Sequence, residues 1–248
     1  MAWWEWVALF FATATIGFAK TAIGGAGTLA VVIFAFVLPA RESTGVLLPL
    51  LICGDLIAIW IYRRDVDWAT LLRLFPTVAV GIVGGAWFLS NADDSAVRRI
   101  IAVLVLSGVA LTAWQRVRRN RGTGAPIASG RRSMPAAAAT GIGTGFTSMV
   151  ANAAGALMAL YLLFVGLEVR KFVGTTAWFF FIVNVAKVPF SAGLGLVTPE
   201  TLRMNAILAP TILIGAALGT ALIKRVTQQS FEWWVLGAAG LSSVLLLL

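Results

Sequence analysis

The chain has 248 residues, of which 60% are hydrophobic and 12% charged, and its mean hydropathy is +0.93. This composition excludes a water-soluble globular domain and predicts an integral membrane protein. The net charge of +9 does not indicate nucleic-acid binding, because the arginines lie at the boundaries of apolar segments, where orientation in a bilayer explains them. The chain has no histidine and a single cysteine, Cys53, so we predict no metal site, disulfide or cofactor.

The first apolar segment, residues 3–38, is interrupted at 17–28 by the glycine-rich stretch GFAKTAIGGAGT. Segments 45–62, 69–89 and 96–115 follow, each with close to the roughly 20 residues that a spanning helix needs. Residues 1–115 are therefore predicted to form one unit, a glycine-broken helical hairpin followed by three transmembrane helices.

A basic linker, residues 116–134, separates this unit from a second one at 135–248. The second unit repeats the pattern, with a broken hairpin at 135–165 and further helices at 173–190, 201–223 and 231–248. A shift of 128 positions places GFAKTAIGGAGT over GFTSMVANAAGA, with Gly17 on Gly145 and Gly27 on Gly155. Further along, Asp55 falls on Asn184. An ordered series of matches across a whole half predicts an internal duplication.

The placement of arginine and lysine predicts the topology in the plasma (inner) membrane. The basic segments, predicted to be cytoplasmic, are 62–68, 116–134, 168–171 and 224–225. The segments predicted to be external are 39–44, 90–95 and 191–198. The cytoplasmic and external assignments are consistent with each other only if each broken segment is a hairpin whose two ends lie on the same side of the membrane. The halves are then inverted repeats with both termini external, an architecture typical of transporters. Eight plain spans with parallel halves are the competing arrangement.

Each break would place polar side chains and free backbone N–H groups at membrane depth, which is tolerated where protein or water surrounds them. The helix that follows each break begins with a partial positive charge, which favours an anion. The predicted substrate-binding residues of the breaks are Lys20, Thr21, Gly24, Gly25, Gly27, Thr28, Thr147, Ser148, Asn152 and Gly155. Close helix packing is the simpler explanation for any one glycine, but the pairing of two breaks favours a site.

Three polar residues lie inside predicted spans. Lys187 follows Asn184 by three positions and so shares its helix face, and we add both residues to the predicted site. Snorkelling to an interface is the alternative explanation for Lys20 and Lys187. Asp55, an isolated carboxylate, is expected to pair with one of these lysines. It is either a proton-coupling group or half of a structural ion pair, and the sequence leaves both open.

Both halves begin with a broken hairpin, KTAIGGAGTLAVVIFAFVLP and SMVANAAGALMALYLLFVG, and a basic linker joins them in a chain of about 250 residues. In these features the chain resembles the sulfite exporter family TauE/SafE, also called the toluene-sulfonate uptake permeases. The family's first glycine motif corresponds to Gly24, Gly25 and Gly27. The second half has Asn152, Ala153, Ala154 and Gly155 where the family usually has a glycine cluster. The resemblance implies transport, commonly export, of sulfite or organosulfonates.

We therefore expect a secondary transporter for a small sulfur-containing anion. The anion would bind midway across the bilayer between the two hairpins, and the halves would alternate access to it. A passive anion channel could use the same residues. A cation or metal permease centred on Asp55 is less favoured, because few ligands accompany it. An enzyme is least favoured, since the sequence shows no catalytic constellation.

Overall fold

The computed structural model describes residues 1–21, 27–62, 64–120, 134–167 and 169–222. Within these ranges the protein is helical and contains no strand. Its helices are α1 Trp3–Thr21, α2 Gly27–Val37, α3 Ala40–Tyr62, α4 Trp68–Asn91, α5 Asp94–Asn120, α6 Met134–Ala151, α7 Gly155–Val165, α8 Val169–Gly193 and α9 Pro199–Leu222. The predicted residues Gly24 and Gly25, most of the basic linker, the loop at 224–225 and the predicted helix 231–248 lie outside the described residues.

Five of the described helices are long and apolar enough to cross a membrane. The five spans are Ala40–Tyr62, Trp68–Asn91, Asp94–Trp114, Lys171–Gly193 and Pro199–Ala221. The prediction of an all-α polytopic membrane protein is therefore confirmed. The helices extend beyond their apolar segments, and α3 begins at Ala40 instead of 45. Its first turn contains the charged residues Arg41 and Glu42. Because the prediction followed apolar residues, it placed the start of this helix too late.

The returning arm of each predicted hairpin is short. Helices α2 and α7 have 11 residues each, which gives each a length of about 16 Å. A bilayer core is about 30 Å thick, so neither arm can cross it. Both breaks are also shorter than predicted, because α1 continues to Thr21 and α6 to Ala151. Lys20, Thr21, Thr147 and Ser148 consequently lie in the last turns of helices and not in the breaks.

Two helix pairs join the first half of the chain to the second. The most extensive contacts join α1 to α9 and α4 to α6, and the internal alignment makes α1 the counterpart of α6 and α9 the counterpart of α4. A Cβ atom added to Gly17 would lie 2.0 Å from the carbonyl oxygen of Ile212, and one added to Gly145 would lie 2.1 Å from that of Val78. Close helix packing therefore explains these two glycines.

The register of α4 against α6 shows that the two helices run parallel. Gly141 contacts Thr77, Gly145 contacts Val78 and Ile82, and Met149 contacts Gly85. Residue numbers therefore increase in the same direction along both helices. Outward-facing side chains on α4 and α9 are large, apolar and exposed, as expected of a surface that faces lipid. Examples are Val80, Val83, Trp87, Leu213, Ile214 and Leu218.

The helix ends fall on two faces of the protein. On one face, residues from the α2–α3 corner, the α4–α5 turn and the α8–α9 loop line a single cavity of about 650 Å³. On the other face, the segment before α4 meets the start of α8. There the backbone N–H of Asp67 donates to the hydroxyl of Thr175 at 2.9 Å, and Gly174 lies against the carbonyl of Asp65. We call these the cavity face and the linker face, since α5 begins at the first and crosses toward the basic linker.

Candidate functional site

A buried ion pair joins the end of α1 to the middle of α3. Lys20 donates a hydrogen bond from Nζ to Oδ1 of Asp55, whose side chain is fully buried, whereas that of Lys20 is 19% exposed. Gly54 leaves room for the lysine to lie across α3, since a Cβ atom there would be 3.1 Å from Lys20 Cγ. The ring of Phe180 on α8 lies 5.1 Å from Nζ, within the range of a cation–π contact. The Lys20 ammonium is thus held between Asp55 and the ring of Phe180.

The second oxygen of the same carboxylate contacts the other half of the chain. Asn184 on α8 donates from Nδ2 to Asp55 Oδ2 at 2.6 Å, and both side chains are buried. These two residues are counterparts in the internal alignment. The polar cluster therefore lies where α3 and α8 meet, between the two halves.

Lys187 is the second cation of the cluster and is only 1% exposed. Its Nζ donates to the Ser148 carbonyl at 2.8 Å, to the Ser148 hydroxyl at 3.2 Å and to Asn152 Oδ1 at 2.6 Å. Asn152 is itself held in place, because its Nδ2 donates to the carbonyl of Thr44 at 3.1 Å. All three acceptors of Lys187 are neutral, so its hydrogen bonds are satisfied, but no carboxylate of the described residues accepts a hydrogen bond from it.

The second break owes its shape to Asn152. This residue ends α6 with a φ of 50°, the one positive φ among the described non-glycine residues. Asparagine tolerates this left-handed conformation better than most residues and commonly ends helices in it. The turn directs the Asn152 amide toward Lys187 and Thr44, so that the same residue terminates the helix and orders the cluster.

The cluster carries an excess of positive charge. Among the residues whose side chains are described, it contains two lysines and one aspartate, and its salt bridge joins Lys20 to Asp55. A buried cation without a counter-charge is costly in a low-dielectric interior. A small anion that accepted hydrogen bonds from either ammonium would offset this cost. Chemically, the arrangement suits an oxyanion better than a cation, because its carboxylate is already bonded to Lys20 and Asn184.

Other residues of the predicted site lie beside the cluster without joining it. The Thr21 hydroxyl is 3.2 Å from the carbonyl of Ala216 and contributes to the packing of α1 on α9. Gly27 and Gly155 begin α2 and α7, with Thr28 next to the first of them. Among the described residues, a Cβ atom added to Gly155 would meet nothing within 4 Å, and one added to Gly27 would meet only Ala19 at 4.0 Å. Packing against the described helices therefore does not explain these two glycines.

Two residues in contact with the cluster were not predicted from the sequence. Thr44 contributes its backbone carbonyl, which any residue type offers, so its side chain gave no signal. Phe180 belongs to a run of three phenylalanines, and only the position of Lys20 shows which ring faces the cation. Thr147, which was predicted, is buried within the last turns of α6.

The long apolar helices and the exposed apolar surfaces define a polytopic membrane protein with a buried polar cluster where α3 and α8 meet. The chain belongs to the sulfite exporter TauE/SafE family, whose family model matches residues 9–246, nearly its whole length. The resemblance seen in the sequence is thereby confirmed, and the family is one of multi-pass membrane transporters for sulfite and related sulfur anions. No curated protein and no solved structure matches the chain.

Proposed function

We propose that the protein is a secondary transporter that binds sulfite or an organosulfonate at the cluster formed by Lys20, Asp55, Asn184 and Lys187. One observation carries this proposal: Lys187 is almost completely buried and bonds only to neutral oxygens within the described structure. An oxyanion would supply the missing negative charge. It would accept hydrogen bonds from Lys187 Nζ, with Ser148 and Asn152 moving aside.

The ion pair between Lys20 and Asp55 supplies a means of coupling anion transport to protons. While Asp55 is charged, it holds Lys20 and competes with an anion for that ammonium. Protonation of Asp55 would release Lys20, which could then bind the anion together with Lys187. One proton and one anion would therefore favour each other's binding, as linkage requires. The membrane potential is the alternative driving force.

The remaining predicted residues would bind the anion through backbone groups and hydroxyls. The N–H groups at the starts of α2 and α7 carry the partial positive charge of a helix N-terminus. The open space at Gly155 and Gly27 agrees with an approach of solute to these helix ends. In the proposed site this set comprises Gly24, Gly25, Gly27, Thr28, Thr147 and Gly155, with Thr21 at its edge.

We propose that residues 1–115 and 135–248 are inverted repeats, with the 116–134 linker cytoplasmic and both termini external. The grouping of the helix ends on two faces supports this topology. In the competing parallel arrangement, segment 191–198 would lie on the opposite side of the membrane from 39–44 and 90–95. Residues of all three segments line the same cavity.

Alternating access would then come from rocking of packed bodies about the cluster. Because α1 packs on α9 and α6 on α4, each pair combines helices from both halves. The backbones touch at Gly17 and Gly145, so each pair should move as one body. Helices α3 and α8, which provide Asp55 and Asn184, would lie between the moving pairs.

The proposal is tested by anion flux in proteoliposomes containing the purified protein. Lys20→Ala should abolish sulfite transport without loss of expression, whereas Lys171→Ala, which removes an exposed lysine from the start of α8, should not change it. Equal transport by the two variants would remove Lys20 from the site. A passive channel would instead show fluxes far above those of a carrier, or unitary currents.

A thermal-shift screen would identify the anion, since a ligand that binds the folded state raises its apparent stability. Sulfite, sulfate, thiosulfate and small sulfonates are the compounds to compare. Stabilisation by at least one of them is expected, and stabilisation by divalent metals instead of anions would favour the cation permease.

A further inference from the structure

The three oxygen atoms around the Lys187 ammonium come from the end of a single helix. The carbonyl of Ser148 lies 2.8 Å from Nζ, its hydroxyl 3.2 Å and the side-chain oxygen of Asn152 2.6 Å. These hydrogen bonds use all three N–H groups of the ammonium. Ser148 lies in the last turn of α6, which ends at Ala151, and Asn152 is the next residue. A cation is therefore coordinated at the C-terminal end of this helix.

The end of α6 attracts a cation more strongly than three isolated neutral oxygens would. The carbonyl groups of the last turn carry the negative end of the helix dipole, which is equivalent to about half an elementary charge. The Ser148 carbonyl also accepts from the backbone N–H of Asn152 at 3.1 Å, and its second lone pair is used by Lys187. Transporters coordinate monovalent cations at the C-terminal ends of broken helices in this way. A partial charge holds a cation without neutralising it, so it does not replace the proposed anion.

The shape of this oxygen set does not depend on the lysine. Ser148 is 2% exposed and is part of α6. Asn152 is fixed by its left-handed turn, with a φ of 50°, and by the bond from its Nδ2 to the carbonyl of Thr44. Neither constraint involves Lys187. The oxygens therefore stay directed at the position of Nζ when the ammonium is elsewhere, which is the preorganisation that a binding site needs.

The two lysines of the cluster are held by different kinds of acceptor. In the first half the lysine is on the helix before the break, and Lys20 bonds to a carboxylate, that of Asp55. The internal alignment places Ser148 on Lys20, so in the second half the helix before the break carries the acceptor instead. Its carbonyl, hydroxyl and amide oxygens are neutral. Neutral oxygens of this kind replace the hydration shell of monovalent cations in proteins.

We propose that Ser148 and Asn152 form a monovalent-cation site, which the Lys187 ammonium fills as a built-in ion. The oxygens are spaced for a cation of the size of ammonium, and potassium is close to ammonium in size. When the anion of the proposed function draws Lys187 away from these oxygens, a dissolved cation takes its place. This exchange of cations rests on the proposed function, whereas the site itself does not.

The site is tested without a substrate, by the thermal stability of Lys187→Ala in chloride salts of equal ionic strength. Ammonium or potassium should raise its melting temperature above that in choline chloride, by about 3–5 °C at ten times the dissociation constant. The wild type, whose site is filled, and Lys171→Ala, which removes an exposed lysine of the same helix, should show no difference between the salts. Equal melting temperatures of Lys187→Ala in all of these salts would overturn the site.

The ligands are tested in the same background. The addition of Ser148→Ala to Lys187→Ala removes one of the three oxygens and keeps the helix, and the shift between potassium and choline should fall to half or less. An unchanged shift would show that the cation binds elsewhere. Lys187→Ser provides the same comparisons if Lys187→Ala fails to fold, because its hydroxyl keeps a polar group in the cluster.

The exchange is tested by sulfite binding to the wild-type protein. Sulfite should bind at least about threefold more tightly in potassium chloride than in choline chloride, because the cation and the anion then favour each other's binding. Equal affinities would contradict the exchange. A protein that does not bind sulfite at all would contradict the proposed function, while the melting temperatures of Lys187→Ala would still decide the cation site.

Discussion

Asp55 and Asn184 occupy equivalent positions in the two halves of the chain and hydrogen-bond to each other at 2.6 Å. The structure therefore brings together two residues that the internal alignment pairs and that differ by a charge. A carboxylate at both positions would balance the two lysines of the cluster. The asparagine leaves one positive charge in excess, which is the basis of the proposed anion site.

Asp55→Asn separates anion binding from proton coupling. The substitution preserves the size of the side chain and removes the carboxylate to which Lys20 and Asn184 donate. We expect anion exchange across proteoliposomes to persist, while uphill accumulation driven by a pH gradient is lost. Parallel counterflow and gradient-driven assays measure the two activities.

The same variant distinguishes the two roles left open for Asp55. If the carboxylate is only half of a structural ion pair, its removal leaves Lys20 partly buried without a counter-charge, which costs about 3–5 kcal/mol. Loss of exchange together with a lower melting temperature would therefore contradict the coupling role. Glu5→Gln, which alters an acidic residue in the first turn of α1, is a control that should change neither measurement.

Substitutions of Asn152 separate its backbone role from its side-chain role. Asn152→Gly keeps the positive φ available and removes the bonds to Lys187 and Thr44, whereas Asn152→Ala also strains the turn, by about 1–3 kcal/mol. We expect both variants to lose sulfite affinity and only Asn152→Ala to lose additional stability in thermal unfolding. Wild-type affinity in Asn152→Gly would show that the side chain does not order the cluster.

The glycines fall into two groups that alanine substitution should distinguish. At Gly145 a Cβ atom would lie 2.1 Å from a backbone oxygen of α4, and α6 cannot avoid it without moving away. We expect Gly145→Ala to destabilise the protein by about 1–3 kcal/mol, the usual cost of overpacking. Gly155→Ala, with open space around it, should unfold like the wild type. Equal melting temperatures for the two variants would contradict the assignment of Gly145 to the helix interface.

Asp93 should make the start of α5 sensitive to acid. The backbone N–H of Ala96 and the hydroxyl of Ser95 donate to its carboxylate, which lowers the pKa of Asp93 below its usual value. A lowered pKa in the folded state means that the stabilisation is present at neutral pH and is lost as the pH falls through that value. Asp93→Asn, which keeps a cap acceptor but no charge, should flatten the acid limb of the melting profile. An unchanged profile would show that the cap is not formed in solution.

The sequence was sufficient to predict the helical class and the family, and it singled out Lys20, Asp55, Asn184 and Lys187, because isolated polar residues in apolar segments leave few alternatives. It could not predict which lysine pairs with Asp55. That choice depends on Gly54, which lets Lys20 lie across α3, and on the direction in which the Asn152 turn points. Both are properties of packing between distant parts of the chain.

The breaks were placed too broadly for a related reason. Glycine, threonine and lysine all lower helix propensity or hydropathy in a sequence window, yet Gly17 and Gly145 lie inside helices, where the small residue serves the contact with another helix. A glycine that ends a helix and one that packs against a helix look alike until the partner helix is known. The cavity could not be predicted either, because its lining comes from three segments that are distant in the sequence.

The central claim is that the uncompensated charge of Lys187 binds the transported anion, and sulfite flux in proteoliposomes containing Lys187→Met tests it most directly. Methionine matches the length of lysine, and removal of a buried charge need not destabilise the fold. We predict a loss in transport of about 100-fold, or about 2.7 kcal/mol, with a melting temperature close to that of the wild type. Lys171→Met should transport normally. Wild-type flux through a folded Lys187→Met protein would contradict the claim.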